Sequence, residues 1–423
     1  MYKYLIEGGS PLCGEVEISP AKNSVLTLIC ASTLLSGGVL IEKCPKIGDV
    51  IVMCDILRKI GATIVWTKDG LYVNAENIRT ADLPREETKK IRASFFLSGA
   101  LLKKFGKVTL YKPGGCKIGE RGLDIHLAGL EKLGAKVYET EEKFVLTCEE
   151  LRGTNFILRY PSVGATENLI LAAATAKGET VLKNCAKEPE VKDLCDFLNL
   201  CGAKIYGAGT NEIRIIGVKK LKGNLSYSPV LDRIEAGTFL LLFLLVGGKG
   251  EIKFDEGKNI YSLTKKILDN TCNYPSIYVK IYREKICVRA CGEAKGLGKI
   301  ITAPYPGFPT DLHPILAAYA ATLQGETTVE ERIFDSRFLY LDQLKKMGAD
   351  FIKNGNAVTF KGAPLHGAEV IAPDLRGGAG LVLAALKAQE KSTVLNADAV
   401  MRGYEDFDGK LRKLGAKIKL TKG

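Results

Sequence analysis

LRKIGATIVW (57–66) is written again as LEKLGAKVYE (130–139), LNLCGAKIYG (198–207), LKKMGADFIK (344–353) and LRKLGAKIKL (411–420). The Gly-Ala pairs are separated by 73, 68, 146 and 67 residues, and the long gap is twice the first. A worn copy, ILDNTCNYPSIYVKIY (267–282), fits inside it. Six copies of one unit of about seventy residues are therefore expected, since a fixed period is how repeated architectures are written. In each copy an apolar-periodic run stops at the glycine, whose freedom at positive φ suits a helix C-cap. A β-rich stretch follows, then a short turn (KDG, EEK, GTN or NGN) and a second strand such as LYVNA, FVLTC, EIRII or AVTF. Strand and helix alternate in small α/β units, three to each half of the chain.

The 423 residues suffice for two or more domains, each with its own core. The start, MYKYLIEGGSPLCGEVEI, reads as strand, turn and strand rather than as a signal peptide. The longest apolar run, TFLLLFLLV (238–246), is far short of the roughly 20 residues of a membrane span and reads as a buried segment. Net charge is +12, which attracts anions without distinguishing phosphorylated metabolites from nucleic acid. The lysines are scattered and lack interleaved aromatics, so neither nucleic acid nor membrane is the expected partner. Twelve cysteines are spread through apolar segments, a usage that fits buried free thiols in a reducing cytoplasm. With no CxxC pair and three histidines, no metal site is expected.

Several stretches depart from the repeat. SPAKNSVLTLICAS (19–32) sets Lys22 and Asn23 at the entrance of an apolar helix, where unpaired N–H groups and a lysine together suit an anion. An ordinary solvated first-turn lysine is the plainer reading. YPSVGATENLILAAAT (160–175) repeats that design with Ser162, Val163 and Gly164. TAPYPGFPTDLHP (302–314) is a proline-stiffened loop ending at Asp311, which a simple N-cap would also explain. Arg92, Arg337, Arg376 and Arg402 stand beside turns or small residues, where a guanidinium grips a carboxylate or phosphate, or forms a surface ion pair. KPGGCKIGERG (112–122) puts one thiol among glycines and cations, but Glu120-Arg121 stands where a Walker A motif needs Lys-Ser/Thr.

Taken in order, AKN (21–23), IRAS (91–94), PGGCKIGER (113–121), PSVGATEN (161–168), EPE (188–190), DRIEAGTF (232–239), PGFPTDL (306–312), DLR (374–376) and RGYE (402–405) span the chain. With these motifs it resembles the UDP-N-acetylglucosamine enolpyruvyl transferases, which begin peptidoglycan precursor synthesis. The resemblance implies a two-domain inside-out α/β barrel of six repeated βαβαββ-type units, three per domain. It divides the chain into 23–230, carrying the catalytic loop, and 1–22 plus 231–423. It also implies transfer of the enolpyruvyl group of phosphoenolpyruvate to the sugar 3′-hydroxyl, with release of phosphate through a tetrahedral intermediate and no cofactor.

By resemblance, Lys22, Arg121 and Arg402 surround phosphoenolpyruvate, Cys116 is the acid that protonates its methylene carbon, and Asp311 is the base for the sugar hydroxyl. Asn23, Arg92, the segment Arg121, Gly122, Leu123, Asp124 and Ile125, then Ser162, Val163, Gly164 and Ile333, match positions that hold the nucleotide sugar. Arg337 and Arg376 are further anion-gripping candidates, and KPGGCKIGERG becomes a catalytic lid open to fosfomycin at Cys116. The chain departs from the family pattern at Gly122 (usually proline), His313 (glutamine), Ser336 (asparagine) and Met401 (aspartate). Gly122 is expected to loosen the lid hinge, and Met401 removes a charge beside Arg402. The sister transferase of the shikimate pathway shares the fold but lacks the cysteine loop. RNA 3′-phosphate cyclase needs a histidine context that is missing, and a non-catalytic regulator need not keep the charged residues.

Overall fold

The computed structural model describes residues 2–112, 122–254, 277–291 and 294–423. The cysteine loop, including Cys116 and Arg121, and the first part of the worn sixth copy lie outside the described residues. The chain divides into two compact units. Among the described residues, one comprises 20–112 with 122–230, and the other 2–19 with 231–423.

The repeated Gly-Ala pair closes a helix in the same way each time. Gly134 sits at φ 105°, its N–H donates to the Glu131 carbonyl (2.9 Å), and the Ala135 N–H reaches back to Leu130 (3.0 Å). Gly61 at φ 114° repeats this with Arg58 and Leu57. This double bond satisfies two of the four carbonyls that a helix end leaves free, and the left-handed residue within it has to be nearly free of Cβ strain. The chain then turns into an antiparallel hairpin, as in Lys136–Glu139 with Lys143–Thr147 or Phe351–Asn354 with Ala357–Phe360.

Among the described residues, the six copies give six sheets of three or four strands, three in each unit, beside a small two-stranded pair. In four of them the plan is a hairpin whose second strand also pairs with an antiparallel neighbour, which in turn carries a parallel strand; Lys107–Tyr111 with the hairpin Lys136–Glu139 and Lys143–Thr147 stops at three strands, and in the sixth Lys417–Lys422 and Tyr2–Glu7 take the hairpin's place. In one, Asn155–Ile157 runs parallel to Glu179–Lys183, and Glu212–Ile216 and Lys204–Tyr206 complete the sheet antiparallel. The copy at 267–282 contributes Ile277–Ile281, antiparallel to Lys285–Ala290. The opening residues are strands Tyr2–Glu7 and Leu12–Glu17, which join sheets of the unit 231–423.

Helices fill the centre of each unit. In the unit 231–423 these are Arg233–Val246, His313–Ala320 and Leu375–Lys387, which pack on one another. Every residue from Arg233 to Leu245 is buried, as a helix apolar all round requires. That is the fate of TFLLLFLLV, and among the described residues no helix is long and apolar enough to cross a membrane. Lys22–Ala31, Phe96–Phe105 and Val163–Ala173 occupy the same place in the unit 20–230. More amphipathic helices such as Gly48–Ile60 and Pro189–Leu200 cover them with one face only. Central helices inside sheets make each unit an inside-out α/β barrel.

Candidate active site

The buried central helices start at positions where chemistry-bearing residues collect. In the unit 20–230, Lys22 opens the helix Lys22–Ala31, and its Nζ lies 3.2 Å from Asp49 Oδ2 in the first turn of Gly48–Ile60. Lys22 thus faces a carboxylate, and its neighbour Asn23 is exposed. One residue on, Ser24 donates to Asp193, which also accepts from the Tyr227 hydroxyl (2.7 Å) and the Val230 amide (3.2 Å). Burial raises the Asp193 carboxyl, and these three donors oppose the rise.

Ser162 caps the helix Val163–Ala173, accepting from the Ala165 amide at 3.3 Å, with Val163 and Gly164 in the first turn. Against Gly164 packs the ring of His126, so closely that a Cβ there would stand 3.3 Å from Cε1. Asn168 fixes that ring. Its Oδ1 accepts from the Gly99 amide (3.0 Å), and its Nδ2 donates to Ser98 Oγ (3.0 Å) and to His126 Nδ1 (3.3 Å). The imidazole therefore carries its proton on Nε2, and burial first, then Arg92, push its pKa down to about 3. Arg92 donates to the Gly122 carbonyl at 3.1 Å, and burial lowers its pKa while Asp124 opposes the shift. Asp124 pairs with Arg159, Leu123 stands just before the helix Asp124–Lys132, and Ile125 is half-buried on it. Segment 122–126, Arg92 and the entrance at Gly164 are thereby assembled in one place. A Cβ on Gly122 would approach Asp124 Oδ1 to 2.2 Å, so glycine leaves that carboxylate room.

In the unit 231–423 the centre is Asp311. It lies inside the short 3-10 turn Thr310–Leu312 and is the N-cap residue neither of that turn nor of the helix His313–Ala320, contrary to the simple N-cap reading. Its Oδ1 accepts from Arg337 Nη2 at 2.7 Å and its Oδ2 from Arg376 Nε at 3.3 Å. Both arginines are buried, which corrects any reading of them as surface ion pairs. Arg376 is aimed by its helix start: Asp374 caps Leu375–Lys387 through the amides of Arg376 and Gly377, and the guanidinium lies 5.0 Å over the Tyr404 ring. Asp311 itself keeps 28 % of its side chain exposed, so two buried cations present it to the outside. Ile333, in the loop between Arg337 and the strand Thr327–Glu330, donates its amide to Glu331 Oε1 (2.8 Å). Arg402 follows the helix Asp398–Met401, half-buried and two residues from Tyr404; Met401 is half-buried and Ser336 exposed.

Comparison with known proteins agrees with this architecture. The profile of the EPSP synthase (3-phosphoshikimate 1-carboxyvinyltransferase) family matches residues 6–411. Proteins called UDP-N-acetylglucosamine 1-carboxyvinyltransferase are similar over nearly the whole length. That of Finegoldia magna is 41% identical over 96% of both chains, and that of Thermotoga maritima 39% identical over 99% of this chain and 98% of its own. The chain belongs to the UDP-N-acetylglucosamine 1-carboxyvinyltransferase family. Among solved structures, the enolpyruvyl transferase NikO from Streptomyces tendae matches this enolpyruvyl transferase fold with a TM-score of 0.89 at 25% identity, covering 100% of this chain and 99% of its own. EPSP synthase from Acinetobacter baumannii shares the fold at a TM-score of 0.73 and 18% identity over 100% of both chains.

For a carboxyvinyltransferase of this family, the sequence motifs pointed at helix entrances and missed what holds them. Asp49, Asp193, His126, Glu331 and Tyr340 carry no motif, and Asn168 closes PSVGATEN without a role read for it. Asp49 alone left a trace, as the acid after Gly48 at the start of an apolar run. The others face partners more than 15 residues away in sequence, which spacing cannot reveal.

Proposed function

We propose that the protein transfers the enolpyruvyl group of phosphoenolpyruvate to the 3′-hydroxyl of UDP-N-acetylglucosamine, releasing phosphate, as the first committed step of peptidoglycan precursor synthesis. Family membership supports the reaction class. The observation that carries the assignment to this chain's residues is Asp311, a carboxylate oriented by Arg337 and Arg376 with 28 % of its side chain exposed. A base must be held in position and still be within reach of the hydroxyl.

In this reading Asp311 takes the proton of the sugar hydroxyl as its oxygen bonds to the central carbon of the enol. Cys116 gives a proton to the methylene carbon, producing the tetrahedral intermediate. Loss of a proton from the resulting methyl group and departure of phosphate restore the double bond, now on the sugar. Lys22, Arg121 and Arg402 balance the charge of phosphoenolpyruvate. Asn23, Arg92, residues 121–125, Ser162 to Gly164 and Ile333 hold the nucleotide sugar. The helix entrance at Ser162 and the Arg92–Gly122 bond support that part, since a helix N-terminus and a guanidinium suit a diphosphate. Fosfomycin, an anionic epoxide, would be attacked by Cys116.

The test is phosphate release from phosphoenolpyruvate with UDP-N-acetylglucosamine, and with shikimate 3-phosphate in its place. Release with the nucleotide sugar alone is expected. Release only with shikimate 3-phosphate would make the chain the sister transferase, and release with neither would leave a non-catalytic paralogue. Asp311→Asn should fold and lose ~10²–10⁴-fold in turnover, because an amide cannot accept the proton.

A further inference from the structure

Glu331 is 1% exposed and spends both carboxylate oxygens on donors from separate segments. Oε1 accepts from Thr302 Oγ1 (2.8 Å) and from the amides of Ile333 (2.8 Å) and Phe334 (3.2 Å). Oε2 accepts from Thr310 Oγ1 (2.8 Å) and meets His313 Nδ1 at 3.0 Å. His313 is fully buried at the start of the helix His313–Ala320, and its Nε2 lies 3.0 Å from the Tyr340 hydroxyl. A carboxylate only accepts, so Nδ1 carries the proton and Nε2 accepts from Tyr340. Burial lowers the His313 pKa, against the pull of Glu331, which keeps the ring neutral.

Thr310 precedes Asp311 and His313 follows Leu312, and both bond the same oxygen of Glu331. The turn bearing Asp311 is therefore pinned on each flank to the segment that also supplies Ile333 and Arg337. We propose that His313, acting through Glu331 and held by Tyr340, is a positioning residue that sets where the Asp311 carboxylate stands. The inference rests on Asp311 being the base. Its physical basis is that a buried carboxylate deprived of one donor must find another or move, and moving Glu331 releases both flanks of Asp311 together.

The experiment compares His313→Leu, His313→Gln, Tyr340→Phe and Asp311→Asn, with the double variant His313→Leu/Asp311→Asn, by kcat, by KM for each substrate and by urea midpoint. Glutamine can donate its amide to Glu331 and accept from Tyr340, so it is the conservative rescue. His313→Leu should lower kcat about 10–100-fold with KM for the nucleotide sugar changed less than about threefold, since misplacement by a fraction of an ångström acts on the reacting geometry. His313→Gln should recover to within about threefold of the parent, and Tyr340→Phe, which also serves if the leucine variant does not fold, should lose about threefold. The double variant should be no slower than Asp311→Asn alone, because a base that is absent cannot be misplaced. Unchanged kcat in both His313→Leu and Tyr340→Phe, failure of glutamine to rescue, or multiplicative losses in the double variant would overturn the positioning role. Near-normal turnover in Asp311→Asn is a different failure: the base assignment falls first and this inference with it.

Discussion

Arg337 donates from Nη2 to Asp311 Oδ1 across 2.7 Å while its own side chain is only 2% exposed. An almost buried cation is expensive to leave alone, so the two residues depend on each other for more than orientation. Arg376, 3% exposed, stands on the other oxygen. The two arginines consequently hold the carboxylate from both oxygens.

Replacing Arg337 by lysine should show both effects. Lysine supplies a point charge in place of a planar fork, and its ammonium shifts its pKa more readily when buried. Breaking a fully buried pair costs about 3–5 kcal/mol; with Asp311 partly exposed and still bonded to Arg376, about 1–3 kcal/mol is expected. Urea midpoints measure that loss. Turnover measured well below the midpoint should still fall, and full turnover there would detach Arg337 from the base.

Asp193 anchors the chain where it leaves the unit 20–230. Its carboxylate collects Ser24, Tyr227 and the Val230 amide, while Val230 in turn accepts from the Ala21 amide at 2.8 Å. Asp193→Leu strands three donors, at about 1–3 kcal/mol for each that finds no water. We expect a loss of about 3 kcal/mol or more, read as a lower urea midpoint. Tyr227→Phe should cost about 1 kcal/mol, since it removes a single bond and leaves Asp193 its other donors. Equal losses in the two variants would contradict the anchoring role.

How far the sequence revealed this depends on range. The Gly-Ala period carried the fold because each copy is local: helix, cap and hairpin follow one another directly, as in 48–74 and 124–147. The cap bonds at Gly134 and Gly61 are made by the residues that the pattern names. Helix entrances at Lys22 and Ser162 were legible for the same reason. What holds them was not. Asp49 is 27 residues from Lys22, Arg376 is 65 from Asp311, and Asn168 is 42 from His126. Such partners are set by how copies pack, and no period records which polar side chain will face which. Burial of Arg337 was illegible too, because DSRFLY reads equally well as a surface turn.

His126 gives a pH dependence of known sign. The unfolded chain binds a proton near pH 6.5, whereas burial and Arg92 hold the folded ring neutral down to about 3. The unfolded state therefore takes up more protons in that window, so this contribution is complete above pH 6.5 and is lost as pH falls toward 3. The slope from one histidine is about 1 kcal/mol for each pH unit. His126→Gln should flatten the fall in urea midpoint between pH 6.5 and 5 relative to the parent. His313, also lowered by burial, is unaltered in that variant and leaves part of the slope. A variant as steep as the parent would show that His126 titrates normally.

Thiol labelling tests the remaining assignment. Cys30, Cys44, Cys54, Cys185, Cys195 and Cys201 are buried, and burial drives the pKa of Cys54, Cys185 and Cys201 up to about 12. Such thiols stay protonated and inert. Most of the other described cysteines are sheltered, but Cys13 and Cys291 are exposed. Both line a groove of about 530 Å³ with Lys249 and Arg289, so cations alone do not single out Cys116. Cys13 and Cys291 are the internal controls. Brief treatment with neutral iodoacetamide should label them together with Cys116, whereas fosfomycin should label only Cys116. The anionic epoxide must be held by the phosphoenolpyruvate residues before the thiol attacks, opening the ring and bonding sulfur to carbon. UDP-N-acetylglucosamine should accelerate that single adduct, and Cys116→Asp should abolish it. Mass spectrometry of peptides after brief exposure separates the outcomes. Fosfomycin on Cys13 or Cys291 at the rate of Cys116, or no adduct in the peptide spanning 112–122, would remove Cys116 from the role of acid.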